Sequence, residues 1–365
     1  MHVMIVGTRG IPARHGGFET FAEDLSIFLT ARGHDVTVYC QTGETKQASS
    51  DFWNGIHRVH IPSSDNALGT ISYDWATTLD CSRKKGVVLT LGYNTGVFSL
   101  LYRLRDVPNV MNMDGIEWKR DKWTLPQRGW LWFNEWAGAR CANYLVADHP
   151  EISRHLERHT STSKIAMIPY GADVVTFAST SVLSQFELKS KSYYLVIARP
   201  EPENSILEIV KAFTARPATH SLVVLGNYSG NGGEYRQQVV NAAGPNVRFI
   251  GAIYDRDVVK ALRFHALAYI HGHRVGGTNP SLVESLAAGN AIIAHDNRFT
   301  RWVAGDGARF FTGTRDLGAT MDDLQQNPLE LLEMEKASRR RHAEEFEKQK
   351  VLTAYEELLM RFAQN

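Results

Sequence analysis

The sequence predicts an α/β fold built from two doubly wound domains, and three observations support this prediction. The chain opens with an apolar strand, a glycine-containing loop, an amphipathic helix and a second apolar strand, which is how a parallel sheet begins. A second series of strands and helices starts near residue 193, after a stretch in which hydrophobic periodicity is lost. The length of 365 residues is sufficient for two cores of ordinary size.

The first domain can be followed element by element. The apolar run "HVMIVG" (2–7) is typical of a buried parallel strand. In "FETFAEDLSIFLTARG" the apolar residues recur at helical spacing, which predicts a helix that Gly33 ends. "DVTVYC" predicts the next strand. Further strands are expected at 86–92, 109–115 and 143–148.

The domain boundary is expected where "VVTFASTSVLSQFELKSKS" (174–192) accumulates Ser, Thr and Lys. Strand and helix pairs follow from "YYLVIA" to "AIIAHD", and helical patterns follow these. The expected division is an N-terminal domain at 1–175, a linker at 176–192, a C-terminal domain at 193–345 and a terminal helix at 346–365. This helix is expected to pack back on the N-terminal domain.

Charge and cysteine content exclude several classes of protein. Forty Lys and Arg residues against 39 Asp and Glu residues produce no strong field, so nucleic acid is not an expected partner. The N-terminus lacks the pattern of a signal peptide, and a cytoplasmic location is expected. The three cysteines are widely spaced without CxxC pairs, which indicates reduced, structural thiols.

Two glycine loops are candidate anion sites, because each precedes a helix whose first amides can bind a phosphate. In "GTRGIPARHGGFET" the pair Gly16 and Gly17 stands at such a position. The loop does not match the dinucleotide fingerprint GxGxxG, and the chain contains no GxxxxGK[ST] phosphate loop.

The second loop is "HGHRVGGTNPSLVESLAAGNAII" (271–293). Gly276 and Gly277 would let a diphosphate approach the amide of Thr278, while Asn279 is a suitable helix cap before a proline. Glu284 lies one turn inside the helix, where its carboxylate can accept hydrogen bonds from a ribose diol. A tight strand-to-helix turn without a ligand is the simpler alternative.

Arg199 follows the first strand of the second domain in "ARPEPENSI". A guanidinium at the carboxyl end of a parallel strand can bind a diphosphate in a forked geometry. Because the loops of one such sheet converge, Arg199 and the glycine pair at 276–277 are expected to act on one ligand.

Five stretches carry a resemblance to retaining glycosyltransferases of the GT-B type, in the glycosyltransferase family 4-like group and closest to its bacterial rhamnosyltransferase subgroup. They are "GTRGIPARHGGFET", "NMDGIEWKRDKW", "IPYGAD", "ARPEPENSI" and the loop at 271–293. The resemblance covers essentially the whole chain. It implies two facing Rossmann-like domains with an interdomain cleft, and catalytic roles for Asp114, Arg199 and Glu284.

The chain also departs from the pattern of that group at three positions. The wider group has two glutamates with seven residues between them; Glu284 matches the second, and Gly276 stands where the first would be. Asn204 replaces the usual lysine, and Asp114 stands where a histidine is common. Donor recognition is therefore expected to differ from that of better-known members, with Arg199 more important.

The resemblance implies transfer of a sugar with retention, with L-rhamnose from dTDP-rhamnose as the first choice, to a glycan or lipid-linked glycan in surface polysaccharide biosynthesis. The resemblance implies no metal, because enzymes of this fold class work without one, and no cofactor, because the nucleotide sugar is a co-substrate. A sugar-nucleotide 2-epimerase and a non-catalytic sugar-nucleotide-binding protein remain as alternatives. Glu19, Asp114, Glu117 and Trp118 are the candidates on the acceptor side.

Five of the eight tryptophans fall in "WKRDKWTLPQRGWLWFNEW" (118–136), interleaved with cations. This composition suits peripheral contact with an anionic membrane, and it also suits stacking on acceptor sugars. A third possibility is that Trp130, Phe133 and Trp136 pack in the core. His271 and His273 could share a face of a strand end, but the sequence offers no third metal ligand.

Overall fold

The computed structural model describes residues 1–13, 16–43, 47–120, 122–217, 220–230 and 233–363. The chain divides into two compact units. Unit 1 comprises Met1–Tyr170 together with Gln349–Asn365, and unit 2 comprises Gly171–Lys348.

The described part of unit 1 forms an eight-stranded sheet. Its strands are β1 (His2–Val6), β2 (Asp35–Thr42), β3 (Ser49–Trp53), β4 (Ile56–Pro62), β5 (Val87–Leu91), β6 (Asn109–Asn112), β7 (Tyr144–Ala147) and β8 (Ile165–Met167). Their order is β3-β4-β2-β1-β5-β6-β7-β8, and every neighbouring pair is parallel except β3 with β4. The chain therefore changes direction across the sheet between β1 and β5.

Helices cover both faces of this sheet. They are α1 (Gly17–Ala31), α2 (Ala67–Cys81), α3 (Ser99–Leu104), α4 (Leu125–Cys141) and α5 (Pro150–Leu156). Along β1, Val3 and Ile5 belong to one apolar core, whereas Met4 and Val6 belong to another. Alternate side chains of a strand point to opposite faces, so an uninterrupted apolar strand fits a sheet that is buried on both sides.

The described part of unit 2 contains a six-stranded, wholly parallel sheet. Its strands are β9 (Tyr193–Ile197), β10 (Ser221–Leu225), β11 (Val247–Gly251), β12 (Ala268–His271), β13 (Ala291–His295) and β14 (Arg309–Phe311), in the order β11-β10-β9-β12-β13-β14. Here the chain changes direction between β9 and β12. The helices are α6 (Ser181–Ser184), α7 (Ile206–Thr214), α8 (Glu234–Asn241), α9 (Arg256–Phe264), α10 (Pro280–Ala287), α11 (Arg298–Ala304), α12 (Thr314–Gln326) and α13 (Pro328–Glu345).

The stretch 176–192, expected to be a linker, lies within unit 2 and contains α6. Ala178 and Leu183 are buried, and the Ala178 carbonyl oxygen is 3.0 Å from Nε2 of His265. The Ser, Thr and Lys residues of this stretch mark its exposed side, which is why the sequence pattern resembles that of a linker.

The final helix, α14 (Lys348–Ala363), packs in unit 1. Leu352 and Tyr355 belong to the same core as Ile5, and the ring of Tyr355 lies 4.7 Å from that of Phe21. The Tyr355 hydroxyl accepts a hydrogen bond of 2.7 Å from Nδ2 of Asn112, at the end of β6. A polar bond inside the core thus joins the last helix to the sheet.

Replacing Tyr355 with Phe tests this bond. Because Y355F leaves the buried amide of Asn112 without its acceptor, we expect the free energy of unfolding to fall by about 1–3 kcal/mol. Chemical denaturation measures the change, and Y254F, at an exposed tyrosine, serves as the control. Equal stability of Y355F and Y254F would show that the bond contributes nothing.

Candidate functional site

Two loops meet at the switch point of the unit 2 sheet, outside the carboxyl ends of β9 and β12. Ligands of open parallel sheets bind at this position. The Arg274 amide donates to the Glu203 carbonyl oxygen at 2.9 Å. A Cβ on Gly272 would lie only 2.2 Å from the Asn204 carbonyl oxygen, so this close approach requires glycine. The two loops are therefore fixed to each other.

Arg199 presents its guanidinium to solvent from the first of these loops. Its side chain is 68% exposed, and Nη1 is 3.5 Å from the Glu201 carboxylate. Asn204 is buried instead, and its Nδ2 donates to the Arg199 carbonyl oxygen at 2.9 Å. The residue that replaces the expected lysine thus holds the loop, and it does not supply a second exposed cation.

The glycine turn of the second loop leads into α10. Gly276 has φ +130°, which disfavours any other residue, and the space beside its Cα is open. Asn279 caps α10 by accepting a hydrogen bond from the Ser281 amide at 3.0 Å, and Pro280 occupies the first turn. Gly277 and Thr278 lie directly before this cap, so the turn has the form expected of an anion site at a helix N-terminus.

Glu284 projects from α10 with its carboxylate already paired. Oε2 lies 2.5 Å from Nη2 of Arg263, whose side chain is almost fully buried, while that of Glu284 remains 31% exposed. Arg263 also donates to Ser281 Oγ at 3.2 Å. A carboxylate oriented by a buried guanidinium and still open to solvent can accept hydrogen bonds from a diol.

His271 and His273 stack with ring centroids 4.3 Å apart at the end of β12. Burial, followed by the charges of His273 and His295, holds the pKa of His271 well below its ordinary value, so this ring is neutral. Both ring nitrogens of His271 are buried without a hydrogen-bond partner. Within the described ranges, no acidic residue, cysteine or further histidine completes a metal-binding group around this pair.

Asp114 follows β6 in unit 1 with φ +52°, and its amide donates to Asn112 Oδ1 at 2.9 Å. Asn112 is the residue bound by Tyr355, so the final helix supports this turn. Burial, reinforced by the nearby Glu117 carboxylate, raises the pKa of Asp114. Such a carboxyl group is suited to exchanging a proton with a hydroxyl group.

Glu117 and Trp118, predicted on the acceptor side, are both engaged within unit 1. Glu117 forms ion pairs of 2.9 Å with Arg120 and with Lys122. Trp118 donates from Nε1 to Glu135 Oε2 at 3.0 Å. Through these contacts the two side chains hold the loop after β6 in place.

Glu19 also has a structural role that sequence reasoning missed. Its Oε1 accepts from the Arg9 amide at 3.0 Å, and its Oε2 accepts from the Gly16 amide at 2.9 Å. The Gly16 amide, expected to be free for an anion, is therefore occupied by the protein's own carboxylate. Gly17 begins α1. Arg14 and His15 of the same motif lie outside the described residues.

A pocket of about 280 Å³ lies within unit 1 at the switch point between β1 and β5. Gly7, Gln41, Asp74, Asn94 and Thr95 are among the residues that line it. Asp74 Oδ2 accepts from Thr95 Oγ1 at 2.8 Å, and burial, partly opposed by this bond, raises the pKa of Asp74 to about 6.

Sequence reasoning missed Asp74. The available signal was its position on α2 three and four residues before Thr77 and Thr78, which places a polar strip on the inward face of a helix.

The aromatic residues of α4 are not core residues. Trp130, Trp132, Phe133 and Trp136 are between 36% and 49% exposed. This excludes the interpretation that Trp130, Phe133 and Trp136 pack in the interior. Phe133 stacks on Trp136 at 6.1 Å, and the Arg140 guanidinium lies 4.8 Å from the centre of the Trp136 ring.

The helices that the structure describes include none whose length and hydropathy would allow it to cross a bilayer.

Comparison with known proteins supports the same architecture. Residues 1–173 match the model of a family described as "Domain of unknown function (DUF1972)". A phosphatidyl-myo-inositol mannosyltransferase of Mycolicibacterium smegmatis is 28% identical over 162 residues, which are 43% of this chain. The match spans only 41% of that relative's length.

Two solved structures align over nearly the whole chain. Sucrose-phosphate synthase from Thermosynechococcus elongatus has a TM-score of 0.82 at 14% identity, with 100% of both chains covered. The Anabaena protein HepE in complex with UDP and glucose has a TM-score of 0.77 at 13% identity, covering 98% of this chain and 99% of that one. At these identities the likeness shows the fold.

The pocket carboxyl group leads to a prediction about stability. Because the pKa of folded Asp74 is raised, ionisation costs stability as the pH rises from about 4 to 6, and this cost persists at pH 7. We expect D74N to be more stable than the wild type by about 2–3 kcal/mol at pH 7, and equal to it below pH 4.

Denaturant titrations at both pH values measure the effect. D51N is the opposite control, since a hydrogen bond from Arg58 lowers the pKa of Asp51, and this replacement should be slightly destabilising at pH 7. A D74N protein that is less stable than the wild type at pH 7 would contradict the assigned environment.

Proposed function

We propose that this chain, which has the GT-B fold, is a glycosyltransferase that moves a sugar from a nucleoside diphosphate to an acceptor hydroxyl group with retention. The main support is the arrangement at the unit 2 switch point. There, the exposed Arg199 and the glycine turn before α10 stand on two loops that are fixed to each other, and α10 carries the Glu284 carboxylate, which Arg263 orients. These groups suit a diphosphate with a ribose attached.

The proposed chemistry relies on charge stabilisation. Breaking the bond between sugar and phosphate creates positive charge on the sugar and negative charge on the leaving diphosphate. Arg199 and the amides at Gly277 and Thr278 would stabilise that negative charge, each preorganised donor contributing roughly 3 kcal/mol. The leaving phosphate is the proposed acceptor of the hydroxyl proton, so the mechanism requires neither a carboxylate nucleophile nor a metal.

The donor we propose first is dTDP-rhamnose, on the resemblance of the stretches at 7–20, 112–123 and 271–293 to rhamnosyltransferases. A 2-epimerase would use the same nucleotide without an acceptor, and a binding protein would release no product. Product analysis separates the three possibilities: a transferred sugar, an epimerised nucleotide or the unchanged donor.

The acceptor we propose is a glycan or a lipid-linked glycan, in surface polysaccharide biosynthesis. The unit 1 pocket offers carboxyl, hydroxyl and amide groups, which suit the hydroxyl groups of a sugar. Its volume of about 280 Å³ is small, at the lower end of ligand pockets, and fits one ring better than an extended chain.

The exposed aromatic face of α4 supports the lipid-linked form. Trp132, Phe133 and Trp136 lie among cations, including Arg128 and Arg140, and Glu135, the acid of this helix, points into the interior. Aromatic rings and cations on one surface bind the interface of an anionic membrane. We propose that unit 1 rests on such a membrane through α4.

Nucleotide binding by the wild type and two variants tests the donor site. We expect one of dTDP, UDP, GDP and ADP to raise the melting temperature selectively, because a ligand of the folded state stabilises it. E284A should bind that nucleotide sugar about tenfold more weakly, whereas R199A should chiefly lower kcat.

R248A, at an arginine paired with Glu187 on the sheet edge, is the control for R199A. E284A removes the carboxylate partner of the buried Arg263, and this can destabilise the fold. The melting temperature of E284A without ligand therefore has to match that of the wild type. Unchanged kinetics in both R199A and E284A, or no shift with any nucleotide at millimolar concentration, would place the donor site elsewhere.

Sedimentation with vesicles tests the membrane surface. We expect the wild type to bind vesicles containing phosphatidylglycerol and the double variant W132A/F133A to bind roughly tenfold less, because the buried aromatic area is lost. Added salt should weaken binding, and neutral vesicles should bind poorly. F52A, at an exposed phenylalanine on β3, is the control. Equal binding by W132A/F133A and F52A would exclude α4 as the contact.

A further inference from the structure

A cluster of three metal-ligating side chains lies within unit 1 and outside the site described above. Oε1 of Glu135, on α4, is 2.7 Å from Nε2 of His155 and 3.1 Å from Nε2 of His159. All three atoms lie within 4.8 Å of one another. His155 lies in the last turn of α5, and a further turn brings His159, four residues later, to the same side.

The cluster is buried and its carboxylate is oriented. The side chains of Glu135, His155 and His159 are 2%, 9% and 13% exposed. The other carboxylate oxygen, Oε2, accepts the indole hydrogen bond from Trp118 at 3.0 Å. Oε1 therefore faces the two imidazoles, and the indole holds it there, as residues that support metal ligands do.

The charge balance of the cluster favours a cation. A buried carboxylate is costly unless a positive charge stands beside it. In the described part of the chain, the ion-pair partners of Glu135 are these two histidines. A bound divalent ion supplies such a charge, and neutral imidazole nitrogens are suitable ligands for it.

The donor set identifies the class of ion. Two imidazole nitrogens and one carboxylate oxygen are a known ligand set for zinc, with the fourth tetrahedral position left to water. Bonds of about 2.0–2.1 Å place neighbouring ligand atoms roughly 3.3 Å apart, so small movements bring the observed 2.7 and 3.1 Å contacts into range. We propose that Glu135, His155 and His159 bind a divalent transition-metal ion, best matched by Zn²⁺.

This site is independent of the sugar transfer proposed above, which needs no metal. The ion would join α4 to the turn after α5. Through the bond from Trp118 to Glu135 it would also fix the loop that carries Asp114. The sequence predicted no metal site anywhere in the chain, and this proposal departs from that prediction. Around His271 and His273 the described residues supply no third ligand.

Zinc titration of the full chain tests the proposal without donor or acceptor. After dialysis against a chelator, we expect the wild type to bind one Zn²⁺ per chain in competition with a chromophoric indicator, and to melt at a higher temperature with Zn²⁺ than without it. Co²⁺ should produce the visible absorption of a low-symmetry site, and Mg²⁺ should not compete.

Variants separate the cluster from adventitious sites. E135Q, H155N and H159N should each lose the stoichiometric binding, and W118F should weaken it by roughly 10–100-fold. H60Q removes a histidine–carboxylate pair of 3.1 Å with Asp51, which among the described residues belongs to no three-residue metal-binding group, so this variant should bind Zn²⁺ as the wild type does.

Two results would overturn the proposal: no binding by the wild type at micromolar Zn²⁺, or undiminished binding by both H155N and H159N. If the more buried variants fail to fold, H159N and the wild-type titration decide. Either failure would leave the cluster as a hydrogen-bonded network, and neither would bear on nucleotide binding.

Discussion

The candidate sites at the two switch points depend on one constraint of the fold. In each sheet the strands pair mainly in parallel, and the order in which they are added reverses at one point. Where β1 meets β5, and where β9 meets β12, the connecting loops turn away from each other and leave a gap at the carboxyl ends. The gap in unit 1 holds the pocket with Asp74. The gap in unit 2 holds Arg199 and the glycine turn.

The sequence was sufficient to predict α1, the Asn279 cap and every described strand except β3, β4, β8 and β14, because each of these features depends on spacing within a few residues. Contacts between distant segments could not be read in the same way. Glu19 was a candidate acceptor ligand in the sequence, and its two amide partners show that it also holds the loop before α1. Asn204 does lack the charge of the expected lysine, and only its bond to the Arg199 carbonyl oxygen shows that it holds the loop. The cluster of Glu135, His155 and His159 joins α4 to α5 and the turn after it, and nothing in the local sequence of either segment indicates that they meet.

Charged groups in both units are held by specific partners, and the partners explain what each group can do. Arg263 orients Glu284 without covering it, whereas Arg120 and Lys122 neutralise Glu117. The hydrogen bond from the Thr95 hydroxyl opposes the burial of Asp74 without overcoming it, and the pKa of Asp74 stays raised. A group left in an unfavourable environment inside a pocket is costly to the fold and available to a ligand.

The return of α14 to unit 1 has a consequence for how the protein is made. Unit 2 is a continuous stretch of chain and has all its residues once Lys348 has left the ribosome, whereas unit 1 lacks the helix that covers Ile5 and bonds to Asn112. During synthesis the first sheet must therefore wait, with part of its apolar surface uncovered, until the unit that follows it has emerged. Chaperones that recognise such surface would bind the N-terminal sheet, until α14 buries that surface.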